Sequence, residues 1–600
     1  MQHPQGKKDT SVGLVLAKMH PRLHQPTSFS QHMKYIELFA GCGGLSLGLR
    51  AAGGEMLLAN ELSPMAGETF AYNLLGENLR DMADGKLPIP RQLKTKWLSS
   101  QFKSNALAAR LAENPQEYPD TGEGICDLDN EELTLERSLI IGSIVQLNTW
   151  LKQERNHKTL AQVKNGFGHG HVDLVSGGPP CQSFSMAGMR EYTNSRNVLP
   201  SEFAKFVHLI QPKIALLENV TGILRPFQVN GKEVFAWLEV AKAFVQLDKE
   251  NDSCPGLPEH GYVPLCLHVN AKHAGVAQNR PRFIMLAFRY NVFSRLKKTL
   301  SKKSLDILEP SEAFYLKVRA GETVSKDELP VYDPEKNPTA FDDTFLSRLA
   351  GSHVPSVKDA IDDLLAEGRK QSDYVRKIND KFRSIAESGN ETSPNFNTVA
   401  NHVLREHGFG VQRRFRIYQV LNNVSPETAA SALAILKGKK NYLDDRAWNE
   451  LAQHTFYMNE GSQFYSFKNK ESLERSLIEN QTGKHSQRAL KCEAPAPAAL
   501  SIPDDMCHYH EDGDGLELKR LRTLTVREMA RIQSFPDSFV FRSKATTGGP
   551  KRKYEVPQYT QVGNAVPPLL GLALGEIVRE LLRLHDQTSL PSSELLKNAA

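Results

Sequence analysis

The stretch "KYIELFAGCGGLSLGL", which begins at Lys34, constrains the fold more than any other part of the chain. Residues 35–39 form an apolar, β-prone run, a glycine-rich turn follows, and the apolar residues after that turn have helical spacing. A strand, a glycine turn and a helix in this order open a doubly wound α/β sheet. The sequence therefore predicts an α/β protein of this class.

Four further apolar runs predict strands of the same sheet, at residues 55–61, 172–180, 213–220 and 282–288. Residues 202–210 have helical spacing and lie between two of these runs. Such alternation predicts a mainly parallel sheet that is covered by helices. Functional side chains are then expected at the carboxyl ends of the strands.

The length of the chain, 600 residues, exceeds what a single hydrophobic core usually organises. The alternation of strands and helices stops after about Tyr290 and resumes near Arg522. We therefore predict a second domain that is inserted into the sheet domain. The predicted division is a disordered leader at 1–33, the sheet domain at 34–290, the insertion at 291–520, the closing part of the sheet domain at 521–585 and a tail at 586–600.

Composition excludes some classes of protein. No apolar run approaches the roughly 20 residues that cross a bilayer, so a membrane protein is not expected. Seven cysteines without a repeating spacing fit a reducing cytosol better than a disulfide framework. A net charge of +5 neither requires nor excludes a polyanionic partner. The crowded "CHYHED" at residues 507–512 does not suit a structural zinc site, and no metal is predicted.

Candidate reactive side chains follow the predicted strands. Cys181 stands in "GGPPCQSFS", after a strand and before a polar loop, and it is either a buried thiol or a nucleophile. Glu218 ends the next strand, where burial would let it hold a proton near neutral pH, although a solvent-facing glutamate is the commoner case. Arg280 and Arg282 bind either an oxyanion or only solvent.

The glycine turn also has two interpretations. It lets a ligand approach the backbone, and Glu61, at the end of the next strand, is placed to bind ribose hydroxyls. The turn lacks the full spacing of a dinucleotide fingerprint, so it is either a nucleoside-binding turn or only a tight turn.

Five short motifs occur in order along the chain: "FAGCGG", "PPCQS", "ENV", "QNRPR" and "QVGNAVP". Together they resemble the ordered motifs of the cytosine-C5 DNA methyltransferases, over roughly residues 34–290 and 520–580. The resemblance implies a Rossmann-like methyltransferase domain, and it implies that the insertion is a target recognition domain.

The resemblance also implies a mechanism. The Cys181 thiolate would attack C6 of a flipped cytosine, and C5 would then take a methyl group from S-adenosylmethionine. Glu218 would contact N3 and the exocyclic amine, and Arg282, supported by Arg280, would stabilise charge on the O2 side.

The resemblance assigns binding residues as well. The cofactor contacts would be Phe39, Gly41, Gly43, Glu61, Ser143, Pro180, Asn564 and Val566. Ser143 stands where the family usually has an acidic residue against the adenine. The expected DNA contacts are Gln182, Ser185, Arg190, Arg196, Arg413 and Arg414.

The sequence therefore predicts a cytoplasmic bacterial DNA (cytosine-5-)-methyltransferase of the restriction-modification type. It is expected to act as a monomer on double-stranded DNA, with a cognate restriction endonuclease as a possible partner. Two alternatives are a tRNA cytosine-5 methyltransferase and a catalytically inactive nucleic-acid-binding relative. The large insertion favours DNA, because reading a duplex needs extra surface.

Overall fold

A computed structural model gives the fold of the chain. The structure describes residues 32–130, 134–180, 199–229, 231–247, 261–351, 353–383, 399–459, 463–483, 486–498, 506–511, 513 and 515–587. The predicted leader lies outside these ranges, except for its last two residues.

A nine-stranded sheet forms the centre of the protein. Its strand order is β12-β9-β11-β6-β5-β1-β2-β4-β3, and β11 runs antiparallel to both of its neighbours while every other pairing is parallel. Seventeen strands occur among the described residues. They are β1 (Met33–Leu38), β2 (Gly54–Glu61), β3 (Thr95–Trp97), β4 (Ser138–Ile141), β5 (Leu174–Gly177), β6 (Ile214–Val220), β7 (Phe227–Val229), β8 (Lys232–Val234), β9 (Tyr262–Asn270), β10 (Gln278–Asn279), β11 (Pro281–Arg289), β12 (Val331–Tyr332), β13 (Phe456–Asn459), β14 (Gln463–Tyr465), β15 (Arg488–Ala489), β16 (Ala496–Pro497) and β17 (Met506–Cys507).

Helices cover both faces of the sheet, so its central strands are buried and read as continuous apolar runs. The described α-helices are α1 (Gly44–Ala51), α2 (Pro64–Phe70), α3 (Leu79–Ala83), α4 (Leu107–Ala112), α5 (Ile144–Lys152), α6 (His157–Lys164), α7 (Leu199–Ile210), α8 (Ala236–Gln246), α9 (Tyr290–Leu296), α10 (Lys302–Ala320), α11 (Val357–Ile361), α12 (Asp373–Phe382), α13 (Phe409–Leu421), α14 (Pro426–Leu436), α15 (Asp445–Leu451), α16 (Lys470–Glu479), α17 (Val526–Ile532), α18 (Gln558–Asn564) and α19 (Pro568–Gln587). The predicted fold class is confirmed, because the sheet is mainly parallel and alternates with helices along the chain. No described helix is both long enough and apolar enough to cross a membrane.

Glycines bring the first helix, α1, against the last one, α19. A Cβ atom added to Gly48 would lie 2.5 Å from the backbone carbonyl oxygen of Pro568 and 2.4 Å from the amide nitrogen of Leu572. A Cβ atom on Gly575 would lie 2.7 Å from the Cβ atom of Ala52. The two helices can approach this closely only because these positions carry no side chain.

The second hydrophobic core is smaller than the predicted insertion. Its buried members lie between Phe415 and Leu521, on α13 to α16 and the short strands around them. Residues 291–382 were predicted to belong to the insertion, but they contribute to the main core instead. Strand β12 pairs with β9 at the edge of the sheet, and α10 contacts β9 from one face.

Buried ion pairs hold the segment that leads from the second core back to the sheet. Arg522 donates to both carboxylate oxygens of Glu528 at 2.7 and 2.6 Å. Arg531 donates to both oxygens of Asp537 at 2.7 and 2.8 Å, and also to Asp363 at 2.6 Å. The two bidentate pairs brace the segment internally, and the contact of Arg531 with Asp363 ties α17 to a residue that follows α11.

The contact between α1 and α19 gives a first prediction. Gly48→Ala should lower the free energy of unfolding by about 1–3 kcal/mol, because the new methyl group would overlap the backbone of α19. Gly410→Ala is the matched control. It adds a methyl group to helix α13 where nothing lies within 4 Å. Urea denaturation measures both, and equal midpoints for the two variants would contradict the packing argument.

Candidate active site

The glycine turn after β1 opens a cradle at the carboxyl edge of the sheet. Phe39, Gly41 and Gly43 all have positive φ angles, of 55°, 56° and 97°. Ala40 donates its amide to the Asn60 carbonyl oxygen at 3.0 Å, which ties the turn to the end of β2. A Cβ atom on Gly41 would have no neighbour within 4 Å, so the space beside this glycine is open to a ligand.

Glu61, the last residue of β2, fixes the other side of this cradle. One of its carboxylate oxygens accepts from the Gly41 amide at 2.8 Å, and the other accepts from the Ser63 amide at 2.8 Å. Burial raises the pKa of Glu61, and these amide donors oppose that shift. Glu61, which the sequence identified by its place at the end of the second strand, therefore contacts the glycine turn directly.

The last sequence motif folds against the first one. A Cβ atom on Gly44 would lie 2.3 Å from the Val566 carbonyl oxygen. Arg280 is buried, and its guanidinium donates to the carbonyl oxygens of Gly563 and Ala565 at 2.7 and 3.1 Å. Asn564 lies between these two carbonyl groups and is exposed. Arg280 thus fixes the closing turn beside the glycine turn.

The chain that follows β5 contacts the end of β6. A Cβ atom on Gly178 would lie 2.8 Å from the Glu218 Oε2 atom, so this glycine leaves room for that carboxylate. Asn219 donates to the Pro179 carbonyl oxygen at 2.9 Å and so ties the end of β6 to the chain after β5. Pro180 follows and is exposed. The predicted nucleophile and four predicted DNA contacts lie outside the described residues; these are Cys181, Gln182, Ser185, Arg190 and Arg196.

Glu218 and Arg282 form an ion pair at this edge. The Arg282 Nε atom lies 2.7 Å from the Glu218 Oε1 atom, and the two side chains are only 10% and 11% exposed. Strand β11 is antiparallel to β6 and pairs Arg282 with Val220, so its start lies at the carboxyl end of β6. Burial lowers the pKa of Arg282, and Glu218 opposes that shift. The structure thus brings together a carboxylate and a guanidinium that are 64 residues apart in sequence.

The Ser143 side chain already has a local role. Its hydroxyl accepts from the Val145 amide at 3.3 Å and caps the N-terminus of α5. Ser143 lies two residues after the end of β4, the strand next to β2 in the sheet. Its contact with a cofactor stays a prediction.

The predicted DNA contacts on α13 lie in the second core. Arg413 donates to Glu479 at 3.3 Å and lies over the Phe409 ring at 5.8 Å. Arg414 is half-buried on the same helix. A role for either side chain in DNA binding stays a prediction.

Two amide side chains that the sequence analysis did not identify organise the site. Gln561 accepts from the Thr69 hydroxyl at 2.7 Å and donates to the Met65 carbonyl oxygen at 3.1 Å, so it joins the closing turn to α2. Asn219 holds the chain that leads to Cys181. Both stand inside the motifs "QVGN" and "ENV", but nothing local in the sequence indicates their distant partners. Among the described residues, no group of three His, Cys, Asp or Glu side chains could hold a metal ion.

Comparison with known protein families adds the deciding observation. The C-5 cytosine-specific DNA methylase family matches residues 33–93 and 146–580, which is most of the chain. The chain belongs to this family. As a member of the C-5 cytosine-specific DNA methylases, the protein is an S-adenosylmethionine-dependent DNA cytosine-5 methyltransferase. The predicted family and enzyme class are both confirmed.

Individual relatives of this DNA methylase are distant. The Type II methyltransferase M.DdeI of Desulfomicrobium norvegicum is 24% identical over 552 residues, which cover 91% of this chain and 88% of that protein. M.AgeI of Thalassovita gelatinovora is 23% identical and covers 91% of this chain and 99% of its own length. Among solved structures, the Dnmt2 methyltransferase of S. pombe is 11% identical, covers 92% of this chain and 99% of its own, and gives a TM-score of 0.34.

A buried acid lies beneath the glycine turn of this methylase. Glu37 on β1 accepts a hydrogen bond from the Ser46 hydroxyl, and the Tyr35 hydroxyl donates to the same serine at 3.1 Å. Burial raises the pKa of Glu37 to about 8, and the nearby charge of Glu61 adds to that shift. This pKa favours the protonated form of Glu37 at neutral pH in the folded protein.

Glu37→Gln should change how stability depends on pH. The folded protein holds one more proton at Glu37 than the unfolded chain between about pH 4.3, the usual pKa of glutamate, and pH 8, so wild-type stability falls as the pH rises through this window. Glutamine keeps the hydrogen bond and does not titrate. Urea denaturation from pH 5.5 to 8.5 should show the variant gaining stability relative to wild type as the pH rises. Glu123→Gln, at an exposed position, is the control, and a constant difference between Glu37→Gln and wild type would refute the argument.

The glycine before the two prolines gives a separate prediction. Gly178→Ala should push the Glu218 carboxylate away from its present position and lower methyl transfer by about 10- to 100-fold, because catalysis depends on placement to within about 1 Å. Gly548→Ala, an exposed glycine with open space around it, should leave the rate unchanged. Tritiated methyl transfer to DNA measures both. Full activity of Gly178→Ala would show that the close contact with Glu218 is unimportant.

Proposed function

We propose that the protein methylates C5 of a flipped cytosine in a specific duplex DNA sequence through a covalent bond between Cys181 and C6. The observation that carries this proposal is the buried ion pair of Glu218 and Arg282. Its carboxylate lies against Gly178, which precedes Cys181 by three residues in the sequence.

The chemistry needs three groups. An ordinary thiol has a pKa of about 8.5, and its thiolate is the nucleophile that adds to C6. When the C6–sulfur bond forms, electron density moves to C5, to N3 and to O2. Glu218 contacts N3 and the exocyclic amine, while Arg282 stabilises negative charge on the O2 side. Arg280, whose guanidinium is committed to the closing turn, supports the site by positioning that turn.

S-adenosylmethionine supplies an electrophilic methyl group when it is bound. The cradle beside Gly41 fits this cofactor, because its open space lies next to a carboxylate at the end of β2 that can bind ribose hydroxyls. We propose that these side chains and backbone groups hold the cofactor: Phe39, Gly41, Gly43, Glu61, Ser143, Asn564 and Val566. Pro180 separates the cofactor from the base. After methyl transfer, which leaves S-adenosylhomocysteine, a base takes the proton from C5. The C5–C6 double bond re-forms and the C6–sulfur bond breaks, which regenerates the thiolate.

The second core is our proposed target recognition domain. The cytosine must leave the stack to reach a pocket at the sheet edge, so a separate surface must hold the duplex. Arg190 and Arg196, on the segment after Cys181, are proposed to close over the DNA together with Gln182 and Ser185. Arg413 and Arg414 are proposed phosphate contacts, and DNA must then compete with the Glu479 carboxylate for Arg413.

The biological role is a second part of the proposal. The Type II methyltransferase names of M.DdeI and M.AgeI support a role in restriction-modification, with a cognate endonuclease as partner. A tRNA substrate is the alternative. Transfer of tritiated methyl groups to duplex DNA but not to tRNA is the expected result.

A trapped adduct tests the mechanism. With S-adenosylmethionine present, duplex DNA that carries 5-fluorocytosine in place of cytosine should form a stable covalent complex with the protein. A base can remove hydrogen from C5 as a proton but cannot remove fluorine as a cation, so the C6–sulfur bond cannot break. Denaturing gel electrophoresis should show this complex for wild type and for Cys492→Ser, which makes the same replacement at a half-buried cysteine outside the proposed site, but not for Cys181→Ser. Retained trapping or turnover in Cys181→Ser would overturn the assignment of the nucleophile, provided that binding of S-adenosylhomocysteine is unchanged.

A further inference from the structure

A segment that the family match leaves out folds beside the proposed cofactor site. Residues 94–145 fall between the two matched ranges. Within this segment, β3 pairs with β4 at the edge of the sheet, and Arg110 forms a 2.6 Å ion pair with Asp127. The amide groups of Ser100 and Ile125 each donate to the other residue's carbonyl oxygen, at 3.1 and 2.8 Å. The described part of the segment is therefore a fixed structure rather than an open loop.

The segment reaches the end of β2. The Tyr118 hydroxyl donates to the Leu62 carbonyl oxygen at 3.3 Å, directly after Glu61. Burial raises the pKa of Tyr118, and the negative charges of Glu113 and Glu61 raise it further. Tyr118 consequently lies close to the carboxylate that is proposed to bind the ribose.

The same segment also reaches the N-terminus of α5. The Gln146 side-chain amide donates to the Pro119 carbonyl oxygen at 3.1 Å and to the Asp120 Oδ1 atom at 3.4 Å. Asp120 is exposed, so its carboxylate faces open space beside the first turn of α5. The Ser143 hydroxyl, by contrast, is already used to cap the helix.

The order of the strands indicates where each part of a bound nucleoside would lie. The glycine turn ends β1, the ribose-binding acid ends β2, and the base must then lie towards β4, the next strand in the sheet. The 6-amino group of adenine is a hydrogen-bond donor and needs an acceptor. Asp120 supplies a carboxylate at this end of the site, and it belongs to the segment that the family match leaves out.

We propose that Tyr118, Pro119 and Asp120 complete the nucleoside end of the cofactor site and that Asp120 accepts a hydrogen bond from the 6-amino group of adenine. Tyr118 acts as a positioning residue that holds the segment against the end of β2. This inference rests on the proposed binding of S-adenosylmethionine at the glycine turn.

Two ligands that differ at position 6 of the base, and in the hydrogen on N1 that the 6-oxo form carries, test the inference. S-adenosylhomocysteine carries an amino group there, and S-inosylhomocysteine carries a carbonyl oxygen that would face the carboxylate. Isothermal titration calorimetry on the full chain should show that wild type binds the adenosyl ligand at least about 10-fold more tightly, because a hydrogen bond to a charged group contributes that much.

Asp120→Asn should weaken binding of S-adenosylhomocysteine by about 10-fold and remove most of the preference over S-inosylhomocysteine, because an amide can also donate to the 6-oxo group. Glu123→Gln is the matched control, since it neutralises another exposed carboxylate of the same segment, and it should keep both affinities. An Asp120→Asn protein that keeps the wild-type preference, or that weakens both ligands equally, would overturn the inference. Failure of wild type to bind either ligand would instead refute the proposed cofactor site.

Discussion

The close packing of α1 against α19 determines where the glycine turn and the closing turn can lie. Gly48 and Gly575 let the backbones of these helices meet, and Gly44 brings the start of α1 against the Val566 carbonyl oxygen. Arg280 then satisfies two carbonyl groups of the closing turn from the opposite side. Because these groups are buried, a small displacement of either helix would leave polar atoms without partners.

A second constraint is the direction of β11. If β11 ran parallel to its neighbours, its first residues would lie at the opposite edge of the sheet from Glu218. The antiparallel direction instead places Arg282 at the carboxyl end of β6, where the two side chains form an ion pair. Each charge of this pair already has its partner within the protein. A substrate that binds to either side chain must therefore offer groups that share or replace the ion pair.

Much of the sheet and part of the site were predictable from sequence. The strands β2, β6 and β11 each contain an unbroken apolar stretch because both faces of the sheet are covered. Glu61 was identified by its place at the end of the second strand. The boundary of the insertion was not predictable, because β12 is only two residues long and gives no periodic signal. The pairing of Arg413 with Glu479 joins residues that are 66 positions apart, and no local pattern indicates such a contact.

The joining of α1 to α19 has a consequence for synthesis of the protein. The glycine turn leaves the ribosome early, but the turn around Asn564 and the helix that packs on Gly48 leave it more than 500 residues later. Until then, the Gly44 backbone and the Arg280 guanidinium lack the partners that they contact in the finished fold. The glycine turn and the closing turn therefore come together only after α19 has been synthesised.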